Sequence, residues 1–196
     1  MTPGHVPPPQ VWAAARRFVS GDTPLDLREY GSGNINDTFL VTARHAPWRP
    51  LLLQRLNPRV FPRPDLVMAN FRTCGRHLKE RLGAVALPPG RRFEVPELLP
   101  TLAGEDWYID ESGGWWRALG FIAGTHSLDQ VRDTAAAREV GWALGLFHFL
   151  LSPLPPAALA DTLPGFHLAP LYLRRYDEVC SRRRLPATPE VRYARA

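Results

Sequence analysis

The stretch GSGNINDTFLVT, residues 31–42, decides how the front of this chain is read. Gly31 and Gly33 permit positive φ, and Asn34 and Asn36 tolerate it better than most residues. Thr38 to Ala43 then reads as a strand, and the preceding LDLREY, residues 25–30, alternates like another. Two strands around a Gly/Asn turn make a hairpin, and a hairpin alone needs no more than this. The same freedom also suits a loop that folds over phosphates. The stretch is not a GxGxxG fingerprint, because Asn36 stands at the last glycine position, and no Gly-Lys-Ser/Thr follows to make a Walker A loop.

Outward from the hairpin, QVWAAARRFV (10–19) carries a helical apolar stripe after a proline-rich leader at residues 1–9, which is expected to be disordered. LLLQRL (51–56) reads as a third strand, ended by NPRVFPRP. Pro64 and Asp65 suit the first turn of a helix, and Leu66, Val67, Asn70, Phe71, Cys74, Leu78 and Leu82 recur at steps of three and four up to Gly83. FEVPELLPT, WYIDES and GGWWRALGFI read as short strands, with ESGG as a hairpin turn.

From Gly124 the texture becomes helical. Ser127 and Gln130 form a capping-box pattern before a helix through residues 133–151, on which Val140, Ala143, Leu144, Phe147, Leu150 and Leu151 share a face. LYLRRYDEVCSRRR (171–184) reads as another helix. Thr188, Pro189 and Glu190 read as the start of one more, which the chain ends at Ala196. Strands and helices are segregated more than alternating, which predicts an α+β fold over a doubly wound one.

Composition bounds the function classes. The 196 residues carry a net charge of +5, almost all of the positive charge from arginine, since Lys79 is the only lysine. The arginines are scattered, with one run at Arg182–Arg184, and no aromatic residues interleave with it, so nucleic acid is not the expected partner. Cys74 and Cys180 lie far apart and build neither a disulfide framework nor a zinc cage. No signal-peptide core opens the sequence and WALGLFHFLL is too short to span a bilayer, so no membrane association and a cytoplasmic setting are expected.

The neighbours of the hairpin add chemistry. A glycine hairpin, a strand carrying one cation in an apolar setting, and then a helix follow the order of a kinase N-lobe, in which the loop covers nucleotide phosphates and the cation holds them. Gln54 and Arg55 are adjacent on the third strand, so only one can face the cleft. Arg55 is the expected one, being charged and able to bond two oxygens at once.

The segments YGSGNINDTFLVT, LLLQRLNPRVFPRPDLVMANF, GGWWRALGFIAGTHSLD and LPGFHLAP resemble the aminoglycoside phosphotransferase-like superfamily, and within it the N-acetylhexosamine 1-kinases, from about residue 24 to 180. The resemblance implies a nucleotide-binding N-lobe at 10–123 and the first helices of a mainly helical C-lobe at 124–196, cut short. It implies ATP and Mg2+ in the complete enzyme, and transfer of the γ-phosphoryl group to the anomeric hydroxyl of N-acetylglucosamine or N-acetylgalactosamine. Gly31, Ser32, Gly33, Asn34, Ile35 and Asn36 would cover the phosphates, and Arg55 would be the strand cation. Backbone groups of Gly120, Phe121 and Ile122 would meet adenine, Leu53 and Ile35 would pack on its ring, and Phe166 and His167 would approach the sugar.

The sequence departs from that pattern twice. Ala69 stands where the resemblance expects a helix glutamate to pair with the strand cation. No histidine is followed two residues later by aspartate, and neither Asp-Phe-Gly nor Asp-x-Asp occurs, so no catalytic or metal-binding residue is assigned. Two functions are therefore expected in parallel. One is the N-terminal part of a sugar kinase, inactive alone. The other is a non-catalytic kinase-like binding or regulatory fragment, with self-association through the uncovered face of the 133–151 helix.

Overall fold

The computed structural model describes residues 6–21, 23–31, 33–43, 49–126, 128, 130–182, 188, 189 and 193. The fold is α+β. Helix α1 (Pro9–Ala15) precedes strands β1 (Leu25–Glu29), β2 (Asp37–Ala43) and β3 (Leu51–Leu56). Helix α2 (Pro64–Gly83) follows, then β4 (Leu98–Leu99), β5 (Tyr108–Ile109) and β6 (Trp115–Gly120). Helix α3 (Thr134–Leu151), a 3-10 turn at Pro156–Ala158 and helix α4 (Ala169–Arg182) complete the order. Ser127, Arg183, Arg184 and Glu190 lie outside the described residues.

All six strands form one antiparallel sheet in the order β1-β2-β3-β6-β4, with β5 also on β6. The period of two sorts side chains by face. Phe39, Leu53 and Ala118 stand in register across β2, β3 and β6, as do Val41 and Leu51. This face is closed by Val11, Ala14 and Ala15 of α1, with Phe18, Val19, Leu25 and Trp116 completing a buried cluster. α1 starts at Pro9, inside the span read as leader, because proline suits the first helical turn.

The opposite face carries Leu40, Leu56 and Leu119, and α2 adds the buried Met68 and Leu78. α3 packs on α2, where Leu150 is fully buried and its carbonyl lies 3.0 Å from His77 Nε2. The Asn70 side chain clasps the backbone of Ala160, donating to its carbonyl and accepting from its N–H, both at 2.8 Å. α3, which the sequence reading places in a second domain beginning at 124, thus belongs with the sheet. The chain forms two compact units, Met1–Thr162 and Leu163–Ala196.

The start of α3 corrects the capping-box expectation. The cap is Asp133, six residues after Ser127, whose Oδ1 accepts from Ala136 N–H at 2.7 Å. An aspartate in extended backbone accepts from the orphan N–H of the first turn and suits the positive end of the helix.

Candidate functional site

The β1–β2 connection is closed at its base by Tyr30 N–H donating to the Thr38 carbonyl at 2.9 Å. Gly31 adopts φ +86°, the left-handed conformation its position in the turn requires. Asn36 works differently. Its Oδ1 accepts from Asn57 N–H at 3.1 Å, tying the loop to the end of β3. Ser32 lies outside the described residues, and Asn34 and Ile35 are exposed at the tip.

Arg55 shares a hollow of about 340 Å³ with this loop. Its lining includes Tyr30, Gly31, Gly33 and Asn36, the aromatic Phe39 and Trp116, and the acidic residues Glu29 and Asp37. The guanidinium sits 5.7 Å from the Trp116 ring centroid and donates to Ser112 Oγ at 3.1 Å. Ser112 belongs to the 110–114 turn, which is organised by Asp110. Its Oδ1 accepts from Ser112 N–H, Ser112 Oγ and Gly114 N–H, and its Oδ2 from Trp116 Nε1 at 2.7 Å. Desolvation pushes the Asp110 carboxyl upward, but the hydrogen bonds from Ser112, Trp116 and Gly114 outweigh it and hold the pKa down to about 2. Gly114 is the tight point. A Cβ there would fall 2.6 Å from Asp110 Oδ2 and 2.7 Å from Arg55 Nε.

The loop and Arg55 are thus brought together, but on the α1 face of the sheet. Arg55 shares that face with Leu53 and stands opposite Trp116. This has two consequences for the expected site. Leu53 is 0% exposed within the α1-side core, so it offers no surface to a bound ring. Arg55 cannot meet a helix glutamate on α2, because α2 lies against the other face. Ala69 is itself exposed; the α2 residue buried against the sheet is Met68.

The cation on the α2 face is Arg117, which the sequence reading did not single out. It stands in register with Gln54 and is 9% exposed. Its Nε and Nη2 donate to Gln54 Oε1 at 3.1 and 2.9 Å. Gln54 Nε2 in turn donates to Thr38 Oγ1 at 3.0 Å. A lone arginine inside the apolar run WWRALGFI, at the even spacing of Gln54 in its own strand, was the available signal.

The remaining expected contacts fall as follows. Gly120 N–H donates to the Glu97 carbonyl at 2.8 Å and Phe121 N–H to the Pro50 carbonyl at 3.2 Å. The Ile122 carbonyl accepts from Thr125 Oγ1 at 3.1 Å. The N–H groups of Gly120 and Phe121, among the backbone groups expected to meet adenine, are therefore engaged within the protein. Phe166 and His167 belong to the second unit, where their rings stack edge-on at 4.0 Å and His167 adopts φ 60°. Among the described residues, no three His, Cys, Asp or Glu side chains cluster to hold a metal ion. No helix of the described residues is long and apolar enough to cross a membrane. No protein-family model matches the chain.

Proposed function

We propose that this chain is the nucleotide-binding part of an ATP-dependent small-molecule kinase, acting on an N-acetylhexosamine-like sugar. The observation that supports it is that Gly31, Gly33, Asn36 and Asp37 line one hollow together with a strand-borne guanidinium, Arg55. The order of elements agrees with a kinase-like lobe: a glycine hairpin, a cation-bearing third strand, a helix on one sheet face, and a strand, β6, running into the 120–122 segment. In the complete enzyme the chemistry would be in-line transfer of the ATP γ-phosphoryl group to a sugar hydroxyl. The protein would contribute positioning and charge stabilisation, with Mg2+ neutralising the phosphates. This chain alone is expected to bind nucleotide and not to turn over. ATP and ADP titrations by calorimetry, beside a coupled ADP-release assay with N-acetylhexosamines, test both halves. Absence of nucleotide binding rejects the reading.

A second reading is a kinase-like module that binds a partner without phosphoryl transfer. It is favoured by α3, on one side of which Val140 and Leu144 are 56% and 53% exposed. An apolar surface of this kind is an association surface when it is contiguous. Light scattering that reports a concentration-dependent rise in mass, abolished in Leu144→Lys, supports it. A strict monomer rejects it.

A further inference from the structure

Arg117 poses a problem of charge. Its guanidinium has five N–H groups and a permanent charge, yet it lies at the middle of the sheet and is 9% exposed. Gln54 Oε1 takes two of the five. Among the described residues, Nη1 has one partner, the Met68 thioether at 4.0 Å, and the Phe71 ring lies 4.8 Å from the guanidinium carbon. No carboxylate pairs with it among the described residues. Burial lowers its pKa to about 10, which leaves it charged at neutral pH.

A buried charge without a counter-charge costs stability, and an apolar residue of similar volume usually does better there. Arg55 presents the opposite situation. Its hollow also holds Glu29 and Asp37, so one cation is set against two acids. An anion is therefore better received on the α2 face than on the α1 face. Thr38 and Gln54, hydrogen-bonded to each other and half-buried, lead from the loop to Arg117 along that face. Met68 is unbranched and adaptable, so its thioether is a group an incoming oxygen can displace.

We infer that Arg117, held by Gln54, takes a phosphoryl oxygen. The site would accept a phosphate or diphosphate group, with the freed Nη1 donors as its contacts. This deepens the nucleotide reading above and rests on it only for what carries the phosphate.

The test uses the full chain, with inorganic pyrophosphate as probe and ADP in parallel, by calorimetry and thermal shift. Wild type is expected to bind pyrophosphate and to be stabilised by it. Arg117→Met is expected to lose at least about tenfold in affinity, the scale of a charged hydrogen bond, while its melting temperature without ligand stays level or rises. Met68→Glu keeps Arg117 but supplies a carboxylate within reach of Nη1, and the same loss is expected there. Arg76→Met, exposed on α2, is expected to bind as wild type does. The inference is overturned if wild type does not bind pyrophosphate, if either Arg117→Met or Met68→Glu retains full affinity, or if Arg76→Met loses as much. Pyrophosphate binding that depends on Arg117 while ADP does not bind leaves the anion site standing and removes the nucleotide reading alone.

Discussion

Gln54 and Arg117 face each other across β3 and β6, and the one side-chain oxygen of Gln54 accepts two hydrogen bonds from the guanidinium. Through Gln54 Nε2 the link continues to Thr38, so three adjacent strands are joined by one polar line beside the buried Leu40, Leu56 and Leu119.

Removing the oxygen leaves the charge stranded. Gln54→Leu is expected to destabilise the fold by about 2–4 kcal/mol, because a buried cation loses its acceptor. The double variant Gln54→Leu/Arg117→Leu should recover most of that loss, since neither partner is then left alone. Urea midpoints of the two single variants, the double variant and wild type make the cycle. A double variant as unstable as the sum of the singles contradicts the account.

Asp110 makes part of the stability depend on pH. Its folded pKa, about 2, lies below the ordinary 3.8. The contribution is therefore fully present above the ordinary value and is lost as pH falls from about 4 toward 2. After allowance for partial solvent screening it is on the order of 1 kcal/mol. Asp110→Asn should flatten that limb of the stability curve, measured as urea midpoints between pH 2 and pH 5, and should leave the remaining acid dependence in place.

Gly114 has no room for a methyl group. Gly114→Ala is expected to cost about 1–3 kcal/mol, the range for forced overpacking, and to push the Arg55 guanidinium off the Trp116 ring. Tryptophan emission should change together with the unfolding midpoint. A variant with wild-type stability and emission would mean that the turn yields freely.

Asn70 fastens the segment after α3 to α2 by two hydrogen bonds to one residue. Asn70→Ala should cost about 1–3 kcal/mol, since the Ala160 N–H and carbonyl both lose a half-buried partner. Amide exchange at Ala160 should accelerate well beyond that of the core strands. Unchanged protection there would place the fastening elsewhere.

How much of this was legible in the sequence depended on local signals. β3 and α2 were readable nearly to the residue, because LLLQRL is bounded by proline-rich punctuation and α2 opens on Pro64 and ends at Gly83. β4 and β5, two residues each, leave no period to detect, so FEVPELLPT and WYIDES gave longer strands than form. The cap of α3 was misplaced because Ser127 and Gln130 match a capping box in spacing, whereas the acceptor in use, Asp133, has no partner acid or amide at the third position. That Arg55 faces the 31–37 loop was legible, but not which side of the sheet α2 would take. Alternation says that Gln54 and Arg55 oppose each other, but not which side a distant helix will cover. That is settled by α1 closing over Leu51 and Leu53, and by Met68 arriving from the other side.

The bond from Asn36 to Asn57 has a mechanical corollary. It ties the downstream end of the 31–36 segment to a strand end, while Tyr30 N–H and the Thr38 carbonyl close the base upstream. The tip is therefore tethered at both ends, so a single broken tie would loosen one end and leave the other seated.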